Sequence, residues 1–148
     1  MTTEDSRARD EAEIRRRIES WAQALRAKDL NGLWSHYAPD ILVFDLAPPL
    51  QHQGDAHRRA FAEWLPTFQG PIGFEMRDLA VTSGGDVAFS HSVNRLTGKR
   101  TSGEMTDVWV RSTVCFRRID DRWMVVHEHS SVPFYMDGSY RASVDLKP

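Results

Sequence analysis

Two imidazoles stand two residues apart in the run Trp123-Met124-Val125-Val126-His127-Glu128-His129-Ser130-Ser131. The run is rich in aromatic and β-branched residues, the composition of a strand, and side chains two apart on a strand share a face. Trp123, Val125, His127 and His129 therefore fall on one side, and the apolar members mark that side as buried. An imidazole titrates near neutrality and can both give and take a proton there. His91 has a similar setting, because it shares parity with Val87, Phe89 and Val93 on the apolar side of another strand-like run. Asp45 supplies a carboxylate on the parity of Ile41 and Val43. In an apolar pocket its charged form is disfavoured, which raises its pKa and makes it a better base. Asp45 and His91 as base and acid, with His127 orienting one of them, would suit dehydration, isomerisation or cyclisation.

Each of these residues also has a plainer reading. Asp45 would satisfy turn amides ahead of Pro48-Pro49. His127 and His129 would be hydrogen-bonded core imidazoles. His52 and His57 read as surface residues. A metal would need a third and usually a fourth ligand beside His127-x-His129, from Asp45, His91 or Glu104. No sequence-local ligand completes the set, so neither metal nor cofactor is expected. Cys115 reads as a small buried filler with no base beside it.

The elements that must position these groups follow from periodicity. Ile14, Ile18, Trp21, Ala22 and Leu25 recur at spacings of three and four, the stripe of a helix running from near Ser6 to before Asp29. Asp29 caps a second, shorter helix carrying Leu30, Leu33, Trp34 and Tyr37, and Pro39 stops it. Residues 41–46 read as a short strand. Ala60, Phe61, Trp64, Leu65 and Phe68 give a third helical pattern, which Pro66 ends.

After Gly70-Pro71 the period becomes two. Residues 72–82, 86–97, 104–119 and 122–132 read as successive antiparallel strands, separated by turn signals at Ser83-Gly84-Gly85, residues 97–103 and Asp120-Asp121. Phe74 and Met76 lie on even positions but Leu79 and Val81 on odd ones, which predicts a bulge near Arg77-Asp78 and a curled sheet. Arg111 and Trp109 oppose the apolar row Val108, Val110, Val114 and Phe116. Bulky residues on both parities predict a strand covered by helices on one face and by a partner subunit on the other. The expected architecture is α+β: three N-terminal helices packed on the concave face of a curved mixed or antiparallel sheet. One domain spans residues 1–148, with a core of about 10–133 and a C-terminal extension over 134–148.

Composition excludes several functions. The chain has 148 residues, 41% of them hydrophobic and 27% charged, enough for one ordinary domain with a real core. A net charge of −2 leaves no electrostatic footprint for nucleic acid or an anionic membrane, and the arginines of the opening helix are interleaved with acids. The single cysteine makes no internal disulfide, and the first residues lack the apolar run of a secretion signal. A reducing cytoplasm is the expected setting.

The turn Tyr37-Ala38-Pro39-Asp40 into Ile41-Leu42-Val43-Phe44-Asp45, the Gly54 that opens the third helix, and the closing Trp123…Val126-His127-Glu128-His129-Ser130-Ser131 resemble the SnoaL-like and ketosteroid-isomerase-like superfamily. The resemblance covers roughly residues 10–133 and implies a cone-shaped α+β barrel of the nuclear-transport-factor-two type, with a small, mostly apolar pocket at its mouth. Trp21, Trp34, Tyr37, Phe61, Trp64, Phe74 and Met76, with His129, are the candidate ligand-contacting residues. Asp45 matches the proton-shuttling carboxylate of the isomerases. The oxyanion pair departs from their pattern: Trp21 stands where they offer a tyrosine, and Thr113, Val114 or Cys115 where they place a protonated acid. This argues against steroid isomerisation.

Two functional classes remain open at this point. One is a cofactor-independent lyase or isomerase acting on a hydrophobic carbonyl or hydroxyl compound. The other is a non-catalytic module that binds a small hydrophobic or carboxylate ligand, with His91 or Arg111 meeting its charge. Either is expected as a homodimer through the sheet.

Overall fold

The computed structural model describes residues 2–148. Helix α1 (Thr3–Arg26) opens on a capping box in which the Thr2 hydroxyl accepts from the Asp5 amide and the Asp5 carboxylate accepts from that of Thr2. Its apolar stripe divides by environment. Ile14, Ala22 and Leu25 are buried in the core, while Ile18 and Trp21 stay partly accessible because they face an internal hollow.

Asp29 caps α2 (Leu30–Trp34), its carboxylate accepting from the Gly32 amide. Strand β1 (Tyr37–Phe44) starts earlier than the periodicity indicates, because Tyr37 pairs with Val125 on a distant strand. A two-residue strand β2 (His52–Gln53), which had no sequence signal, pairs with it. Helix α3 (Asp55–Trp64) is capped by Gly54 at φ 57°, where a Cβ would stand 3.1 Å from the Pro39 carbonyl oxygen. Pro66 sits in the short 3-10 turn, Leu65–Thr67, that ends the helix.

Four long strands follow: β3 (Phe68–Gly84), β4 (Val87–Arg100), β5 (Met105–Ile119) and β6 (Arg122–Ser131). They form consecutive antiparallel hairpins, and β1 inserts parallel to β6, giving the order β2-β1-β6-β5-β4-β3. The β3–β4 register shifts between Arg77 and Ala80 with Asp78 at φ 56°, at the bulge expected there. The sheet curves without closing, and α1 spans its concave side. Arg118 ties β5 to α1 through Asp10 at 2.7 Å, and Arg26 ties the far end of α1 to the Phe74 carbonyl on β3. Beyond β6 the chain turns back on itself, with Phe134 bridging Ala142. Among the described residues no helix is long and apolar enough to cross a membrane.

Candidate functional site

Between α1, α3 and the concave sheet lies a cavity of about 670 Å³. The helical wall is mostly apolar, with Ile18, Trp21, Phe61 and Trp64 in it, and Phe74 and Met76 of β3 join it. The sheet side is mixed. Even-numbered residues of β4 and β5 face inward, so Ser90, Ser92 and Asn94 lie beside Ser112 and Val114. Ser92, Ser112 and Ser130 stand in register on three adjacent strands, and the Ser112 and Ser130 hydroxyls are 3.0 Å apart.

The most chemically distinctive group here is Glu128. It lines the cavity in one cross-strand row with Val43, Val114 and Ser90. Burial raises its pKa to about 7, with the negative charge of Asp45 adding to the rise, while hydrogen bonding to the Tyr37 hydroxyl opposes it. Tyr37 is buried, and its oxygen accepts from Trp21 Nε1 at 2.7 Å. Burial first, then the Glu128 charge, push the phenol well above its usual pKa, so it stays a neutral donor. Trp21, Tyr37 and Glu128 thus form a relay of directed hydrogen bonds reaching the cavity.

A second polar group is His57, 3% exposed, with both ring nitrogens buried and without a hydrogen-bond partner. Its ring packs among Phe61 (4.7 Å), Tyr37 (5.4 Å) and His52 (6.0 Å). Burial lowers its pKa to about 4, although the Asp45 charge pulls the other way. At neutral pH it is an uncharged imidazole with one donor and one acceptor to offer. His52 and His57 both line the cavity, which corrects their reading as surface residues.

The other histidines are corrected in the opposite direction. On β6, Phe116 pairs with Val125 and Cys115 with His127, so Val126 is an extra residue. That bulge reverses parity. Trp123 and Val125 face inward before it, and Glu128 and Ser130 after it, leaving His127 and His129 on the outer face. His127 Nδ1 bonds the Leu42 carbonyl at 2.7 Å, and its ring stands edge-on to Phe44 at 4.8 Å. His129 also meets Phe44 and lines a smaller recess with Met105, Val132 and Val144. His91 is exposed on the same outer face, in the row Phe44, His129, Thr113, His91. The outward run Val87, Phe89 and His91 is apolar in type without being buried, since Val87 and Phe89 are 56% and 45% exposed.

Asp45 occupies the rim. It lines the cavity, and its Oδ1 accepts from the Leu46 amide at 2.7 Å, so the turn role and the pocket position coexist. Of the candidate ligand-contacting residues, Trp21, Phe61, Trp64, Phe74 and Met76 line the cavity. Tyr37 reaches it through its hydroxyl relay, and Trp34 packs behind Tyr37 and His57. Sequence reading missed Glu128 because alternation was carried unbroken through Val125-Val126. The two adjacent valines, which no strict alternation accommodates on a half-buried strand, were the signal. Among the described residues no three His, Cys, Asp or Glu side chains gather as a metal site.

The family of SnoaL-like domains matches residues 14–135. The chain belongs to the SnoaL-like family. An NTF2-like protein of unknown function from Pseudomonas putida KT2440 is similar to it at 38% identity, over 95% of this chain and 98% of that one, with a TM-score of 0.86. A candidate dehydratase of the NTF2-like family from Streptomyces avermitilis shares 20% identity over 84% and 96% of the two chains, with a TM-score of 0.75. The association domain of C. elegans CaMKII shares 20% over 86% and 98%, with a TM-score of 0.67. At those last two identities the likeness is one of fold. No curated protein matches the chain.

Proposed function

We propose that this SnoaL-like protein binds a small hydrophobic carbonyl or hydroxyl compound and moves a proton on it, as a cofactor-independent isomerase or dehydratase. The observation that supports this reading is Glu128, a carboxyl of pKa about 7 facing a largely apolar cavity. A base works best when its pKa lies near the working pH, and this one is partly ionised at neutrality. Glu128 would take a proton from the carbon beside a carbonyl. Tyr37, held by Trp21, keeps the carboxylate oriented. His57, neutral and buried against Tyr37 and Phe61, holds the wall beside this relay. Return of the proton at another carbon gives isomerisation, and its delivery from Glu128 to a β-hydroxyl, which leaves as water, gives dehydration. Asp45 stays in this proposal as the rim charge that keeps Glu128 basic. His91 and His127 leave it, because neither shares the cavity with Glu128.

The test is deuterium exchange. A panel of hydrophobic ketones and β-hydroxy carbonyl compounds is incubated with the protein in D2O and read by mass spectrometry. Incorporation by the native protein and its loss in folded Glu128→Gln is the expected result. Equal incorporation by both would overturn the role of Glu128. Compounds bound tightly without any exchange would favour the non-catalytic binding module.

The exposed Val87 and Phe89 support a second copy against the outer face of the sheet, whereas Trp109 is already covered by Arg77 of its own chain at 5.3 Å. Light scattering at micromolar concentration, expected to give twice the 17.0 kDa chain mass, tests this; a mass of one chain would contradict it.

A further inference from the structure

One end of the cavity carries a charge that nothing answers. Arg17 lines it from α1, one helical turn before Trp21. Its Nε is shut off from solvent and has no hydrogen-bond partner, and one terminal nitrogen donates only to the Met124 sulfur at 3.5 Å. None of the ion pairs among the described residues includes it. Glu13, one turn earlier, acts on it only through space, against the opposing charge of Arg122. His36 lines the same cavity within reach of the Arg17 charge, and its Nδ1 is also buried and unpaired. A guanidinium nitrogen shut away from water without a partner is costly, and such groups are ordinarily paired.

We propose that Arg17 and His36 form a carboxylate-binding subsite, so that the ligand of this cavity is a hydrophobic carboxylic acid. The inference rests on the cavity being the ligand site, and it assigns the ligand's class. The guanidinium fork matches the two oxygens of a carboxylate. Along α1 the step from Arg17 to Trp21 is about 6 Å. A short acid chain spans it, leaving the remaining carbons against Trp21 and within reach of Glu128.

The experiment compares 3-phenylpropionate with its neutral amide, 3-phenylpropionamide, by titration calorimetry at pH 7. Native protein is expected to bind the acid at least tenfold more tightly than the amide. Arg17→Met should erase that preference, with a melting temperature no lower than native. Equal native affinity for acid and amide, or a preference that survives Arg17→Met, would overturn the subsite while leaving the cavity as a binding site. If native protein binds neither compound, the cavity reading fails and the subsite with it. Should Arg17→Met fail to fold, Arg17→Lys keeps the charge but removes the fork. A several-fold loss confined to the acid is then expected, and unchanged acid affinity would overturn the proposal.

Discussion

Val125 and Glu128 lie three residues apart on one strand and face the same cavity. Regular pleating forbids that, since an odd separation puts two side chains on opposite faces. The extra residue at Val126 permits it. One bulge therefore turns the histidine pair outward and a carboxyl inward, and the candidate chemistry of the site depends on it.

Replacing Glu128 by Gln should stabilise the protein above neutrality. The folded pKa is about 7 against an ordinary 4.5, so between those values the folded chain holds a proton that the unfolded chain has released. Native stability then falls as pH rises from about 4.5 to about 7, by ~3 kcal/mol at most from this group. Glu128→Gln removes that loss. Its melting temperature should exceed the native one at pH 8 and match it at pH 4; equal melting at both pH values would contradict the burial of this carboxyl.

His57 contributes in the other direction. Its folded pKa of about 4, against 6.5, means the unfolded chain takes up a proton first as pH falls. Stability is therefore lost between about pH 6.5 and 4, by ~3 kcal/mol at most. His57→Gln should show a shallower acid loss in thermal melts across that window. His36, also lowered to about 4, remains in the variant, so the loss should shrink without vanishing.

Asp45→Asn should lower the midpoint at which Glu128 titrates. The Asp45 charge is one of the causes of the raised pKa, after burial. Its removal makes the ionised form of Glu128 easier to reach, so any activity that rises with Glu128 ionisation should appear at lower pH. An unmoved midpoint would separate the two carboxyls.

Gly98→Ala tests the packing behind the cavity wall. A Cβ there would stand 2.6 Å from the ring of Phe68, which is 2% exposed and packs edge-on against Trp64 at 5.0 Å. The ring has no room to retreat, and overpacking of this kind costs about 1–3 kcal/mol. Chemical denaturation should register that loss. A neutral outcome would mean that Phe68 shifts freely.

The architecture was legible because it rests on patterns that alternation and helical spacing carry directly: the α1 stripe, the Asp29 cap, the hairpin turns, and the bulge betrayed by Phe74, Met76, Leu79 and Val81. Trp21, Phe61 and Trp64 were expected in a pocket wall only through the family resemblance, since spacing alone reads them equally as core. The polar half of the site was not legible. His57 looked like surface in a helix of mixed composition, yet it is buried by Trp34 and Tyr37, which come from other elements, and by Phe61 one turn along its own helix. His91 looked inward because its neighbours are apolar, but the inward row of β4 is the polar one, Ser90, Ser92 and Asn94. A cavity reverses the usual rule that apolar parity marks the inside, and one residue of slip at Val126 reverses the rest.

The most direct measurement is the titration of the Glu128 carboxyl itself, by carbon NMR of protein labelled at the glutamate side-chain carboxyls, with Glu128→Gln identifying the resonance. A midpoint near 7 is the expected result. A midpoint near the ordinary 4.5 would mean that Glu128 is solvated like any surface glutamate, and the cavity would lose its base.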